Sequence, residues 1–138
     1  MYQFRLSKIE TVQFAIFSDD APSSLVNLQT SVTFNVSEDR RFLKCLSGFT
    51  FSSEDKPFMK LEVACEFELS DDTLKELQNE EGNYIFPVGL QQHFAVITIG
   101  TARGVLHERT KGTAMNEFFI PLINLAKFVN KDMVVASK

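Results

Sequence analysis

The sequence has no tryptophan, only two cysteines and only two histidines in 138 residues. Each scarcity excludes something. Two cysteines are too few for a disulfide framework, so Cys45 and Cys65 are expected as reduced thiols in a cytoplasmic setting. His93 and His107 have no second ligand at metal spacing, so no metal centre is expected. His107 and Glu108 are adjacent, and adjacent residues on a helix do not face one another as an acid–base pair would. The cysteines fall mid-strand on an apolar face, with no base beside them to lower a thiol pKa. Glycine spacing does not match a phosphate-binding loop, and the carboxylates show no EF-hand spacing. Nothing here marks an enzyme or a bound cofactor. The longest apolar run is broken by Gln91, Gln92, His93 and Arg103, short of a membrane span. The first residues lack the basic-then-apolar pattern of a secretory signal. Basic residues are outnumbered 14 to 18, for a net charge of −4, which disfavours nucleic acid as a partner.

What the sequence has in abundance is phenylalanine, 14 residues of it. Phe fills cores and apolar grooves and brings no polar group that must find a partner. The length fits a single domain over residues 1–138 that can bury roughly two-thirds of its unfolded surface. Charge is uneven. Residues 62–81 carry eight carboxylates against Lys75 alone, a solvated face or a dock for a basic partner.

The first half alternates with period two, the mark of half-buried strands. Phe4 and Leu6 lie on one face, then Val12, Phe14 and Ile16, with a phase slip at Ile9 that suggests a bulge. Residues 18–24 are a loop by their Asp, Pro and Ser content. Leu28, Val32, Phe34 and Val36 alternate with polar residues. Leu43, Cys45, Ser47, Phe49 and Phe51 form one face, and Met59, Leu61, Val63, Cys65, Phe67 and Leu69 another. Matching these faces in an antiparallel hairpin sets Phe51 opposite Met59, Phe49 opposite Leu61 and Cys45 opposite Cys65, with the turn at residues 54–56. Ser70, Asp71 and Asp72 suit the start of a short helix over residues 73–78, ended by Glu81, Gly82 and Asn83.

Residues 86–106 are ambiguous. The stretch FAVITIG has the β-branched composition of a buried strand. Pro87, however, suits a first helical turn. Phe86, Leu90, Phe94, Ile97 and Thr101 then make one helical stripe, flanked by Ala95, Ile99, Ala102 and Leu106. Gly100 and Gly104 would allow another element to approach closely, or would end the helix early. A helix explains more of the segment than a strand does.

In this order the motifs resemble the SecB and SecB-like protein-export chaperones. Four strands precede Phe86-Pro87, which opens the family's long helix. Arg103-Gly104 is similar to the pair that closes it. Residues 121–125 resemble the segment that leads into the last helix. The resemblance covers nearly the whole chain. It implies an α+β fold, a four-stranded antiparallel sheet with the long helix and a C-terminal helix, over residues 125–133, on one face. It also implies unfolded-polypeptide clients and a homotetramer built as a dimer of dimers. Two departures stand out. The connection from Gly104 to Pro121 is long, and the last residues lack the acidic tail offered to the translocation motor SecA. They weigh against a direct role in SecA-dependent export and point to a SecB-like relative serving a particular client; SecA and a toxin–antitoxin pair both stand as candidate partners.

A sheet with one apolar face needs a cover, and the two helices are the available lids. An incomplete cover leaves a Phe-lined groove. Phe49, Phe51, Met59, Leu61, Phe118, Phe119 and Ile120 are the residues expected to line or flank it. Glu62, Glu66 and Glu68 are expected to offer a docking surface on the opposite face. An extended non-native segment in the groove would gain roughly 25 cal/mol per Å² of apolar area removed from water, with no need for ATP. A small-ligand or enzymatic domain on a curved sheet, and a structural subunit whose apolar faces serve only oligomerisation, are the alternatives.

Overall fold

The computed structural model describes residues 1–137. The period-two alternation produces four long strands: β1 (Phe4–Ile16), β2 (Val26–Val36), β3 (Phe42–Ser53) and β4 (Lys56–Leu69). They form one antiparallel sheet in the order β1-β4-β3-β2, so β1 and β2 are its edges. The central hairpin has the register that the alternation predicts: Cys45 faces Cys65, Phe49 faces Leu61 and Phe51 faces Met59. Its turn is the pair Glu54-Asp55, with φ of 52° and 63°. A two-residue hairpin turn requires such left-handed backbone, which Asn or Gly adopts more readily. The slip expected at Ile9 is instead two bulges flanking it, at Ser7 and Val12.

Ser70 starts α1 (Asp71–Leu77) by accepting the Thr73 N–H on its Oγ at 3.1 Å. Asp71 and Asp72 occupy the first turn, where the helix dipole favours negative charge. A short strand, β5 (Tyr84–Phe86), then leads into α2 (Val88–Arg109). The FAVITIG stretch is therefore helix. Local β propensity yields because α2 packs along β3 and β4 and buries one face on the sheet.

That face divides into two clusters along the helix. Toward its start, Leu90, Phe94 and Ala95 meet Cys45, Cys65, Phe67 and Leu69. Toward its end, Ile99, Ala102 and Leu106 meet Phe49, Phe51, Met59, Leu61 and Val63. Each fully buried Phe or Leu here is worth about 1.5–3 kcal/mol over leaving it exposed.

Four expectations are corrected. Arg103-Gly104 does not close the helix, which runs to Arg109. Leu106 continues the buried stripe, the Thr110 hydroxyl donates to the Leu106 carbonyl at 2.8 Å, and Gly112, at φ 77°, turns the chain away. The buried face is centred on the flanking stripe, so Ile97 and Thr101 sit at its margin, half-buried. Gly100 and Gly104 point into open space and receive no close neighbour. Finally, residues 125–133 do not form a helix. Leu125–Lys127 is one 3-10 turn, and the chain then extends into β6 (Met133–Val135), which pairs antiparallel with β5. The Asp132 carboxylate accepts the Val88 N–H at 3.0 Å, and β-branched Val134 and Val135 pair in the ladder.

Candidate functional site

Between α2 and β6 the chain runs as a strap of mostly irregular backbone over the inner face of the sheet. Side chains of α2 hold it from beneath. Arg103 donates from Nε to the Ile120 carbonyl at 2.8 Å and from Nη2 to the Pro121 carbonyl at 2.6 Å. Gln91 donates to the carbonyls of Phe86 and Lys131, and Gln92 to that of Val129. Met115, Ile120 and Val129 are the strap's buried anchors. Phe118 is half-buried, its ring 5.2 Å from that of Phe58 and 6.2 Å from that of Phe51.

The strap decides where the seven expected groove residues lie. Phe49, Phe51, Met59, Leu61 and Ile120 share one cluster, each 3% exposed or less, with Phe118 packed against it. The structure therefore brings six of the seven together, but as a closed core packed beneath α2 and the strap. Phe119 points the other way. It is 63% exposed, its ring stacked on His107 at 5.8 Å. Sequence reading takes Arg103 for a helix terminator and misses it as a clip. The signal is a guanidinium set among Ile97, Ile99, Ala102 and Val105 in the middle of α2, which must find partners somewhere.

Open apolar surface lies instead at the sheet edges. Along β2 the row Val26, Leu28, Thr30, Val32, Phe34 and Val36 faces inward, apolar except at Thr30, and is only half-buried. Its outward row is Asn27, Gln29, Ser31, Thr33 and Asn35. The strand has no charge, proline, glycine or bulge over 11 residues. Those are the features that usually blunt a free edge. By contrast β1 has two bulges and the charges of Arg5, Lys8 and Glu10. It nevertheless leaves Leu6, Ile9 and Val12 exposed.

The outer face of the sheet is polar. Glu62, Glu66 and Glu68 lie on it, half-buried, but not as an acidic patch. Arg5 pairs with Glu68 at 2.6 Å, Lys8 and Lys44 flank Glu66 from the two neighbouring strands, and Lys60 lies on the same strand. Four cations thus stand among Glu10, Glu62, Glu66 and Glu68, so charge of both signs alternates across this face. An open depression of about 310 Å³ crosses this face, lined by Gln13, Gln29, Ser31, Gly48, Lys60 and Glu62 among others. Residue 48 has no room for a side chain at this depression: a Cβ there would stand 2.6 Å from the Ser31 hydroxyl.

Chemistry is poorly served. Among the described residues, no group of three His, Cys, Asp or Glu side chains could hold a metal ion. Burial pushes the Cys45 thiol up to about 11, against a hydrogen bond with Thr98 that pulls the other way. It is therefore protonated at neutral pH and a poor nucleophile. Among the described residues, no helix is long and apolar enough to cross a membrane.

This arrangement of sheet, helix and strap matches a solved structure. It is that of the SecB-like chaperone Rv1957 of Mycobacterium tuberculosis, in complex with a ChAD peptide from the Rv1956 HigA1 antitoxin. The match spans 88% of this chain and 90% of that one, with a TM-score of 0.57 and 13% sequence identity. The fold is that of a SecB-like chaperone. No family model matches the sequence, and no curated protein matches it. At this identity the SecB-like fold is what the two share, and the residues that bind in one are not thereby assigned in the other.

Proposed function

We propose that this chain is an ATP-independent chaperone that holds non-native polypeptide along the inner face of its sheet. The observation that carries this reading is the β2 edge: unguarded main chain beside a half-buried apolar row. An extended client segment can pair with such an edge and place alternate side chains on the apolar row. Backbone pairing gives affinity without demanding a sequence. A folded protein, whose apolar stretches are already buried, has nothing to offer there. The likeness to a chaperone seen with an antitoxin peptide supports a dedicated client of that kind over SecA-dependent export. The exposed Leu6, Ile9 and Val12 on β1 support self-assembly into a dimer or a dimer of dimers. A partner docking at Glu62, Glu66 and Glu68 would have to match alternating charge rather than be simply basic.

The test is suppression of aggregation. A thermally unfolding client is followed by light scattering with the chain at stoichiometric amount and no nucleotide. Suppression is expected, and it is expected to weaken when Thr33 on β2 is changed to Lys, which places a charge on the free edge. Full scattering in the presence of the chain would count against the proposal. It would favour a purely structural subunit, provided native mass shows an oligomer that binds no apolar dye.

A further inference from the structure

The closed groove and its cover suggest what the groove is built to take. Residues 118–125 cross the inner face with Phe118, Ile120, Ile123 and Leu125 turned toward the core and Phe119, Pro121 and Leu122 turned toward solvent. That is the pattern of an extended apolar peptide laid in a groove, not of a helix or a ladder strand. Among the described residues, the main chain of 119–124 donates no hydrogen bond within the chain. Pro121 also removes one donor outright. The segment is held by its inward side chains and by the two carbonyl bonds from Arg103.

We propose that residues 118–125 are an internal ligand of the client groove. Arg103 latches them, and clients bind by displacing them. The inference rests on the chaperone reading and adds to it the regulation and the ligand class. The ligand is an extended segment with an aromatic residue at position i and branched aliphatic residues at i+2, i+5 and i+7. Displacement would uncover Phe49, Phe51, Phe58, Met59 and Leu61, all now closed. Client affinity is then the intrinsic affinity reduced by the fraction of chains with an open strap. Loosening the latch raises that fraction.

The experiment uses the full chain with a fluorescent, reduced and carboxymethylated polypeptide as the unfolded probe, read by anisotropy. Arg103→Ala is expected to bind the probe about tenfold more tightly, since charge-assisted hydrogen bonds to two carbonyls are lost from the closed state alone. Arg103→Lys, which keeps the charge but not the fork, should fall between it and the wild type. Circular dichroism verifies the fold of both. A synthetic peptide of residues 116–128 should compete with the probe on Arg103→Ala. Probe binding that is unchanged or weakened by Arg103→Ala in a folded protein, with no competition by the peptide, would make the strap a fixed wall. It would overturn the inference and leave the chaperone reading standing. Absence of probe binding to every variant would sink the chaperone reading and this inference with it.

Discussion

Phe94 offers the most direct test of how α2 is held to the sheet. Its ring is fully buried, stacked on Phe67 at 4.3 Å and met edge-on by Phe4 at 4.8 Å. It thereby joins α2 to β4 in the centre of the sheet and to β1 at its edge. Truncation of a buried Phe to Ala costs about 3–5 kcal/mol from lost burial and the cavity left behind. Each favourable ring pair adds about 0.5–1.5 kcal/mol beyond burial. With two pairs broken, Phe94→Ala should lie near the top of that range, about 4–5 kcal/mol. That is a large part of the roughly 5–15 kcal/mol that holds a domain together. Phe119→Ala is the control, because its ring is largely in water. Surface substitutions of this kind usually stay within about 0.5 kcal/mol. With no tryptophan in the chain, urea unfolding is best followed by far-ultraviolet circular dichroism. At a slope of about 2 kcal/mol per molar urea, the Phe94→Ala midpoint should fall by roughly 2 M while that of Phe119→Ala hardly moves. Equal midpoints for the two variants, or a loss under about 2 kcal/mol for Phe94→Ala, would mean that α2 is not packed as described.

Two further outcomes follow from backbone and charge. Asp55→Gly should raise stability by about 1 kcal/mol, since it relieves left-handed backbone at a residue that L side chains adopt at a cost; a lower melting temperature would show that the Asp55 side chain does something more than turn. The Cys45 thiol is raised by burial to about 11 from an ordinary 9.0, so the folded chain holds its proton where the unfolded chain releases it. Its contribution is complete below pH 9 and is lost as pH rises through 11, at about 1.4 kcal/mol per pH unit between those two values. Urea midpoints at pH 8 and pH 10.5 should therefore converge more in Cys45→Ala than in the wild type, and an equal decline in both would refute the assignment.

The sheet was legible because its signal is local and redundant. Six alternating residues on β4 and five on β3, joined by a short turn, favour the one pairing that buries both rows, and a slip by one residue would have turned a row to the other face. The long helix was less so. Val96, Ile97 and Ile99 read equally as strand, and only the sheet beneath them decides, burying Ile99 and leaving Val96 in water. The missing C-terminal helix has the same origin. Val134 and Val135 become strand because β5 is there to pair with them, and no local pattern signals that residues 84–86 and 133–135 meet.

The candidate site shows where reading by pattern ends. Apolar alternation gathered Phe49, Phe51, Met59 and Leu61 on one face, and of the three residues named beside them from the connection, Phe118 and Ile120 pack there while Phe119 points away. Pattern cannot tell a lined groove from a filled one, because both need the same residues facing the same way. The difference lies in Arg103, whose partners are the carbonyls of Ile120 and Pro121. A carbonyl is present at every position and leaves no mark in the sequence. The closure of this cluster therefore involves contacts between a side chain and the backbone seventeen and eighteen residues away. The edge that carries the proposed function is different. The absence of charge, proline and glycine along β2 is written in the sequence, and only the fold reveals that this strand stands at an edge of the sheet.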